Sequence, residues 1–226
     1  MANFGFSRLA VVSPHEAHWR EAQSAIGAED LLEHAGLYPT LAEALANSTL
    51  AIGTGTLTHR KAQQRVVPLP ELAPYVRDQL ARGGRVNLVF GSEKHGLTRE
   101  DLAHCHLLVE VPTDARQPSM NLGQAVAVCL YELVRSSDSA IERNATQTDP
   151  IAARPNAPSA ALDRLAEVVE QSMQAAGYSP RIMQAANRHD LHLLLRRLHL
   201  NAADTRRALG IFRRILWRLQ HRRAPL

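Results

Sequence analysis

Two short segments of the chain combine residue types that a small-molecule pocket requires. They are Phe90-Gly91-Ser92-Glu93-Lys94-His95-Gly96-Leu97 and Ser119-Met120-Asn121-Leu122-Gly123-Gln124-Ala125. Each reads as a sharp turn that ends a buried strand or opens a helix. Glycine lets backbone approach a ligand closely, and the hydroxyl, carboxamide and carboxylate groups beside it can fix a polar molecule's orientation. Gly53-Thr54-Gly55-Thr56 has the same character, although taken alone it is an ordinary strand-end turn. Glu93 reads as a helix cap or a turn pin accepting backbone N–H groups, ahead of a general base. Asn121 reads as a site residue ahead of a simple N-cap, because it directly follows Ser119-Met120. Gly96 reads as a position requiring positive φ.

The elements that must hold these turns follow from periodicity. Apolar runs at 9–13, 49–52, 85–90 and 106–111 read as buried strands. Helical patterns fall at 19–35, 40–46, 69–81, 98–104 and 121–135, with Thr40 and Glu43 spaced as a capping box. Strands alternating with helices predict an α/β fold, a parallel sheet flanked by helices. In such sheets ligands bind beyond the carboxyl ends of the strands. The Gly-, Ser- and Thr-bearing turns stand there.

Residues 136–160, with Pro150, Pro155 and Pro158, predict a flexible linker. Helical patterns at 161–176, 181–198 and 205–220 then form a small all-α extension, expected to pack on itself and on a partner chain. The expected division is therefore 1–135, 136–160 and 161–226. From Thr205 to Leu226 the chain has seven arginines and no acid. Such a run is often only a solvated face, but local ion pairs cannot neutralise this one. Phosphate contact by Arg213, Arg214 and Arg218 is the natural use. Arg60 is a further candidate beside Gly53–Thr56, or an ordinary loop charge.

Other classes are excluded. The 226 residues contain two cysteines, Cys105 and Cys129, both in apolar surroundings; a disulfide framework is not expected, and a reducing cytoplasm is. No apolar run approaches a membrane span, so no membrane is expected. His104-Cys105-His106 cannot converge on one ion, because consecutive strand residues face opposite ways, and His189, His192 and His199 find no completing pair. No metal is expected.

The two opening segments resemble the second and third motifs of the SpoU-type 2′-O-ribose methyltransferases of the SPOUT superfamily of RNA methyltransferases. The linker and tail, including Tyr178 and Leu195-Arg196-Arg197-Leu198, are similar to the branch acting on the tRNA anticodon loop. The resemblance implies a C-terminal trefoil knot threaded through 111–135, a homodimer, and S-adenosylmethionine as cofactor. It places Thr54, Gly55, Thr56, Gly91, Val111, Ser119, Met120 and Asn121 around that cofactor, with Ser119 and Asn121 as catalytic candidates and Glu93 and Gly96 as structural ones. The family's first motif, which carries an Arg that activates the ribose hydroxyl, is expected to precede Met1. The implied activity is methylation of a ribose 2′-OH of tRNA. The alternatives are an rRNA substrate, an RNA-binding protein without catalysis, and a base methyltransferase.

Overall fold

The computed structural model describes residues 1–14, 19, 27–55, 62–138, 154–178 and 180–221. The chain enters through a single 3-10 turn, Ala2–Phe4, closed by Gly5. β1 (Ala10–Val12) pairs in parallel with β2 (Gly36–Tyr38), with α1 (Glu29–Glu33) preceding β2. α2 (Leu41–Ala44) follows. Thr40 caps it by accepting from the Glu43 N–H, while the Glu43 carboxylate returns to the Thr40 hydroxyl at 2.9 Å.

Among the described residues the main sheet has four strands: β3 (Leu50–Thr54), β4 (Arg65–Pro68), β5 (Val86–Val89) and β6 (Leu107–Glu110). Their order is β4-β6-β3-β5 and every pairing is parallel. The expected parallel sheet is thus present, accompanied by the separate β1–β2 pair. Alternation divides β3 between two cores. Leu50 and Ile52 join Leu72, Val109 and Cys129 on one face. Ala51 joins Leu45, Leu97 and Leu108 on the other. Both faces are therefore apolar and covered, as parallel strands require.

The covering helices are α3 (Ala73–Ala81), α4 (Arg99–Ala103) and α5 (Leu122–Asp138). The predicted helix at 69–81 begins instead with a 3-10 turn, Leu69–Glu71, and Pro74 opens the α-helix proper. β4 and β2 carry no sequence signal strong enough to be expected. Gly53 and Thr54, read as part of a turn, are the last two residues of β3. A Cβ on Gly53 would stand 2.9 Å from Cys105 Sγ and from Leu108 Cδ2, so β3 and its neighbour pack too closely there for a side chain.

The extension consists of α6 (Ser159–Ala175), α7 (Gln184–Arg197) and α8 (Ala202–Gln220). It has a core of its own: Leu165, Ala166, Val169 and Leu195, with Phe212 and Leu209 packed against them. It also docks on the sheet unit of the same chain. Ser159 N–H donates to Ser48 O at 2.8 Å, Ala160 N–H to Ala46 O at 3.1 Å, and Asn156 Nδ2 to Thr49 O at 3.2 Å. The linker's bounds differ from expectation accordingly. α5 runs on to Asp138, and Asn156, Ala157 and Ser159 are buried against the sheet unit.

Candidate functional site

The loop after β5 is shaped by its two glycines. Gly96 has φ +64°, a left-handed conformation that costs little only without a Cβ. Its N–H donates to Ser92 O at 2.8 Å, and the His95 N–H donates to Ser92 Oγ at 3.3 Å. The loop closes so tightly that a Cβ on Gly91 would lie 1.9 Å from the Gly96 carbonyl carbon and 2.2 Å from Leu97 N. The helix that follows is capped by Thr98 and Asp101, each accepting from the other's backbone N–H. The capping and turn-pinning duties considered for Glu93 therefore fall to Thr98–Asp101 and to Ser92.

The second segment comes back beside this loop. β6 ends at Glu110, the chain turns over 113–118, and Arg116 N–H donates to Asp114 Oδ1 at 2.8 Å within the turn. Asn121 Oδ1 then accepts the N–H groups of Gly123 at 2.9 Å and Gln124 at 3.4 Å, capping α5. At the end of β3, Thr54 Oγ1 donates to Val89 O at 2.9 Å, which ties two strand ends together at the same edge of the sheet.

These ends enclose a cavity of about 300 Å³. Of the expected cofactor residues, Thr54, Gly55, Gly91, Val111, Ser119 and Met120 line it, as do Glu93 and Gly96. Asn121 does not. Its carboxamide oxygen caps the helix start. Thr56 and Arg60 lie outside the described residues. Phe90, His95, Glu110 and Leu122 also line the cavity and were not expected as site residues. For Phe90 and Glu110 the available signal was position: one follows β5 and the other is the last residue of β6, at the carboxyl ends where parallel sheets bind ligands. The volume lies at the lower end of the range for small-molecule sites. The lining offers an apolar side (Phe90, Leu97, Val111, Met120, Leu122) and two carboxylates, Glu93 and Glu110, against one ammonium, Lys94. A flat base fits the first and a cationic centre the second, so the residues present fit an adenosyl sulfonium ligand.

A family model described as the SpoU rRNA Methylase family matches residues 1–131 of the chain. The chain belongs to the SpoU rRNA methylase family. Among SpoU-related proteins, it is 30% identical over its whole length to a tRNA (cytidine/uridine-2′-O-)-methyltransferase TrmJ from Sodalis glossinidius, covering 85% of that protein. It is 37% identical over 59% of its length to a tRNA (cytidine/uridine/adenosine-2′-O-)-methyltransferase TrmJ from Pseudomonas aeruginosa, and this match spans 52% of that protein. The crystal structure of TrmJ from Z. mobilis ZM4 superposes with a TM-score of 0.79 at 26% identity, covering 95% of this chain and 89% of that one.

A second cluster, outside the SpoU-type cavity, lies where the extension meets the sheet unit. Arg196 has no exposed surface, and its Nη2 donates to Asp163 Oδ1 at 2.7 Å. His192 Nδ1 stands 3.4 Å from the same oxygen. Burial alone would raise the Asp163 carboxyl, but hydrogen bonding to His192 and the Arg196 charge hold it down to about 2. His104 meets His192 edge to face, with ring centroids 5.9 Å apart. Ligating atoms of His104, Asp163 and His192 lie within 4.8 Å of one another. The types suit zinc, yet Asp163 already answers a buried guanidinium whose charge opposes a cation. His106 N–H and Nδ1 bond Ala51 C=O and N–H at 2.8 and 3.1 Å, so its Nε2 carries the proton of the neutral ring. Burial first, then the Arg196 and His199 charges, push its pKa down to about 3.

The cysteines are free and buried, and burial raises Cys105 to about 12 and Cys129 to about 11. Both stay protonated and unreactive. Among the described residues no helix is long and apolar enough to cross a membrane.

Proposed function

We propose that the chain transfers a methyl group from S-adenosylmethionine to a ribose 2′-OH of tRNA in the anticodon-loop region. One observation carries this reading. The two motif loops form one cavity at the carboxyl edge of a parallel sheet, in a chain 30% identical throughout to a tRNA 2′-O-methyltransferase.

S-adenosylmethionine, when bound, supplies an electrophilic methyl on a sulfonium. Backbone at Thr54, Gly55, Gly91 and Val111 would hold the adenosine, as tight glycine turns allow. Met120 and Leu122 would cover its apolar face and exclude water. Glu93 and Glu110 would face the cationic centre. Ser119, exposed and lining the cavity, is the hydroxyl offered to the incoming ribose. The attacked 2′-OH must give up its proton, and Glu93, Glu110 and His95 are the acceptors that line the cavity.

The sheet unit within 1–135 supplies the chemistry, and the helical unit within 161–226 supplies RNA contact through Arg213, Arg214 and Arg218. A trefoil knot threaded through 111–135, a homodimer and a cytoplasmic location complete the reading. Val128 and Tyr131, 37% and 52% exposed on α5, support a partner surface. Nucleoside mass spectrometry of tRNA incubated with the protein and S-adenosylmethionine tests the activity. A new 2′-O-methylnucleoside is expected. Methylation found on a base, or only on rRNA, overturns the assignment.

A further inference from the structure

Trp217 stands on α8 with 46% of its surface exposed. Ile211 and Ile215 of the same helix are exposed too, but Trp217 is embedded in a built polar arrangement. The Arg214 guanidinium lies 4.8 Å from the indole centroid and that of Arg218 lies 6.0 Å away. The His221 ring stacks on the indole at 4.8 Å with the planes 20° apart. His221 Nδ1 is 2.8 Å from Trp217 O, which fixes the imidazole in that pose. Positions 214, 217, 218 and 221 follow the i, i+3, i+4, i+7 spacing of one helix face. The one acid of α8, Asp204, is in its first turn and accepts from Asn201 Nδ2 at 2.7 Å.

Three occupants are conceivable for such a face. A second copy of α8 would bring the same arginines against these ones, and like charges repel. A duplex would satisfy the arginines through its phosphates, but its bases are stacked inside and offer nothing to an indole. An unpaired nucleotide offers both a phosphate for the guanidinium and a π face for the rings. We propose that Arg214, Trp217, Arg218 and His221 form a stacking platform for an unpaired base of the bound RNA: the Arg214 guanidinium swings off the indole to hold an adjoining phosphate with Arg218, and the base takes its place on the ring. The proposal deepens the RNA-substrate reading above and rests on it. It adds a specific preference for single-stranded over duplex segments.

The test uses the full chain and fluorescence anisotropy. The probes are a fluorescein-labelled single-stranded oligoribonucleotide of mixed sequence and a blunt duplex of equal length. Trp217→Ala should weaken single-strand binding about tenfold, since stacking on one aromatic is worth roughly that much. Trp217→Phe should stay within about threefold because a π face remains. Neither should alter duplex binding by more than about twofold, because the phosphate contacts persist. The chain has two tryptophans, so in a Trp19→Phe background the emission of Trp217 should be quenched by the single strand and not by the duplex. Equal losses on both probes, or no loss on either with the melting curve retained, overturns the platform. So does competition by polyglutamate as effective as that by RNA. S-adenosylhomocysteine titrations run in parallel separate the two readings: normal titration without strand preference removes only the platform, and failed titration with strand preference intact removes the methyl-transfer reading.

Discussion

Arg196 and Asp163 form an ion pair at 2.7 Å in which the guanidinium has no exposed surface. The pair joins α7 to α6 where the extension meets the sheet unit. Arg196 Nε and Nη1 find no hydrogen-bond partner among the described residues, so the pair already carries a desolvation cost.

Breaking that pair from one side leaves a partly buried charge alone. Arg196→Met should cost about 3 kcal/mol of stability. Arg196→Met with Asp163→Asn should cost less than the single change, because both charges leave together. Urea midpoints of the parent, the single and the double variant check this.

The same junction sets a pH dependence. His106 is neutral in the folded chain down to about pH 3, while an unfolded histidine titrates near 6.5. Its folded pKa is depressed, so below pH 6.5 the unfolded state binds a proton that the folded state does not. Stability is full above pH 6.5 and falls as the pH drops, by up to about 1.4 kcal/mol per pH unit for this one group. His104 and His199, lowered chiefly by burial, act in the same direction. Denaturation between pH 7.5 and pH 4.5 should show the decline. His106→Asn, which keeps an acceptor for the Ala51 N–H, should flatten it by about one proton.

Gly91→Ala should damage the cavity directly. The new methyl would lie 1.9 Å from backbone that cannot yield without opening the loop. Loss of S-adenosylhomocysteine binding by more than about tenfold, with a stability loss of about 1–3 kcal/mol, is the expected result by calorimetry and thermal melting.

Asn121 separates capping from chemistry. Asn121→Ala should cost about 1 kcal/mol through the lost cap. Asn121→Ser and Asn121→Asp keep a capping oxygen, so both should restore melting temperature and cofactor affinity together. Restored melting with affinity still lost would show that the carboxamide itself meets the ligand.

The arginines of α8 should act at a distance from that cavity. Changing Arg213, Arg214 and Arg218 together to Ala should weaken RNA binding and reduce the salt slope by roughly two to three. S-adenosylhomocysteine affinity should not move. Filter binding across a salt series and calorimetry measure the two.

Much of the site was legible because its signals are local. The Gly91–Leu97 turn, the strands at its sides and the Thr40 cap are each specified within a few residues. β4 was not legible, since its four residues end in Pro68 on a sheet edge and their partner, β6, is remote in sequence. Asn121 was ambiguous because capping and ligand contact require the same residue type at the same place. Only coordinates show which groups its oxygen serves.

The sequence alone determined the alternating elements, the chemistry of the two motif turns and the acid-free arginine run, because turn geometry, periodicity and charge are written in neighbouring residues. Tertiary structure decided that the turns share one cavity, that the extension docks on its own chain, and that Arg196 meets Asp163 beside three histidines. Those outcomes depend on long-range packing and exclusion of water, which no short window of sequence contains.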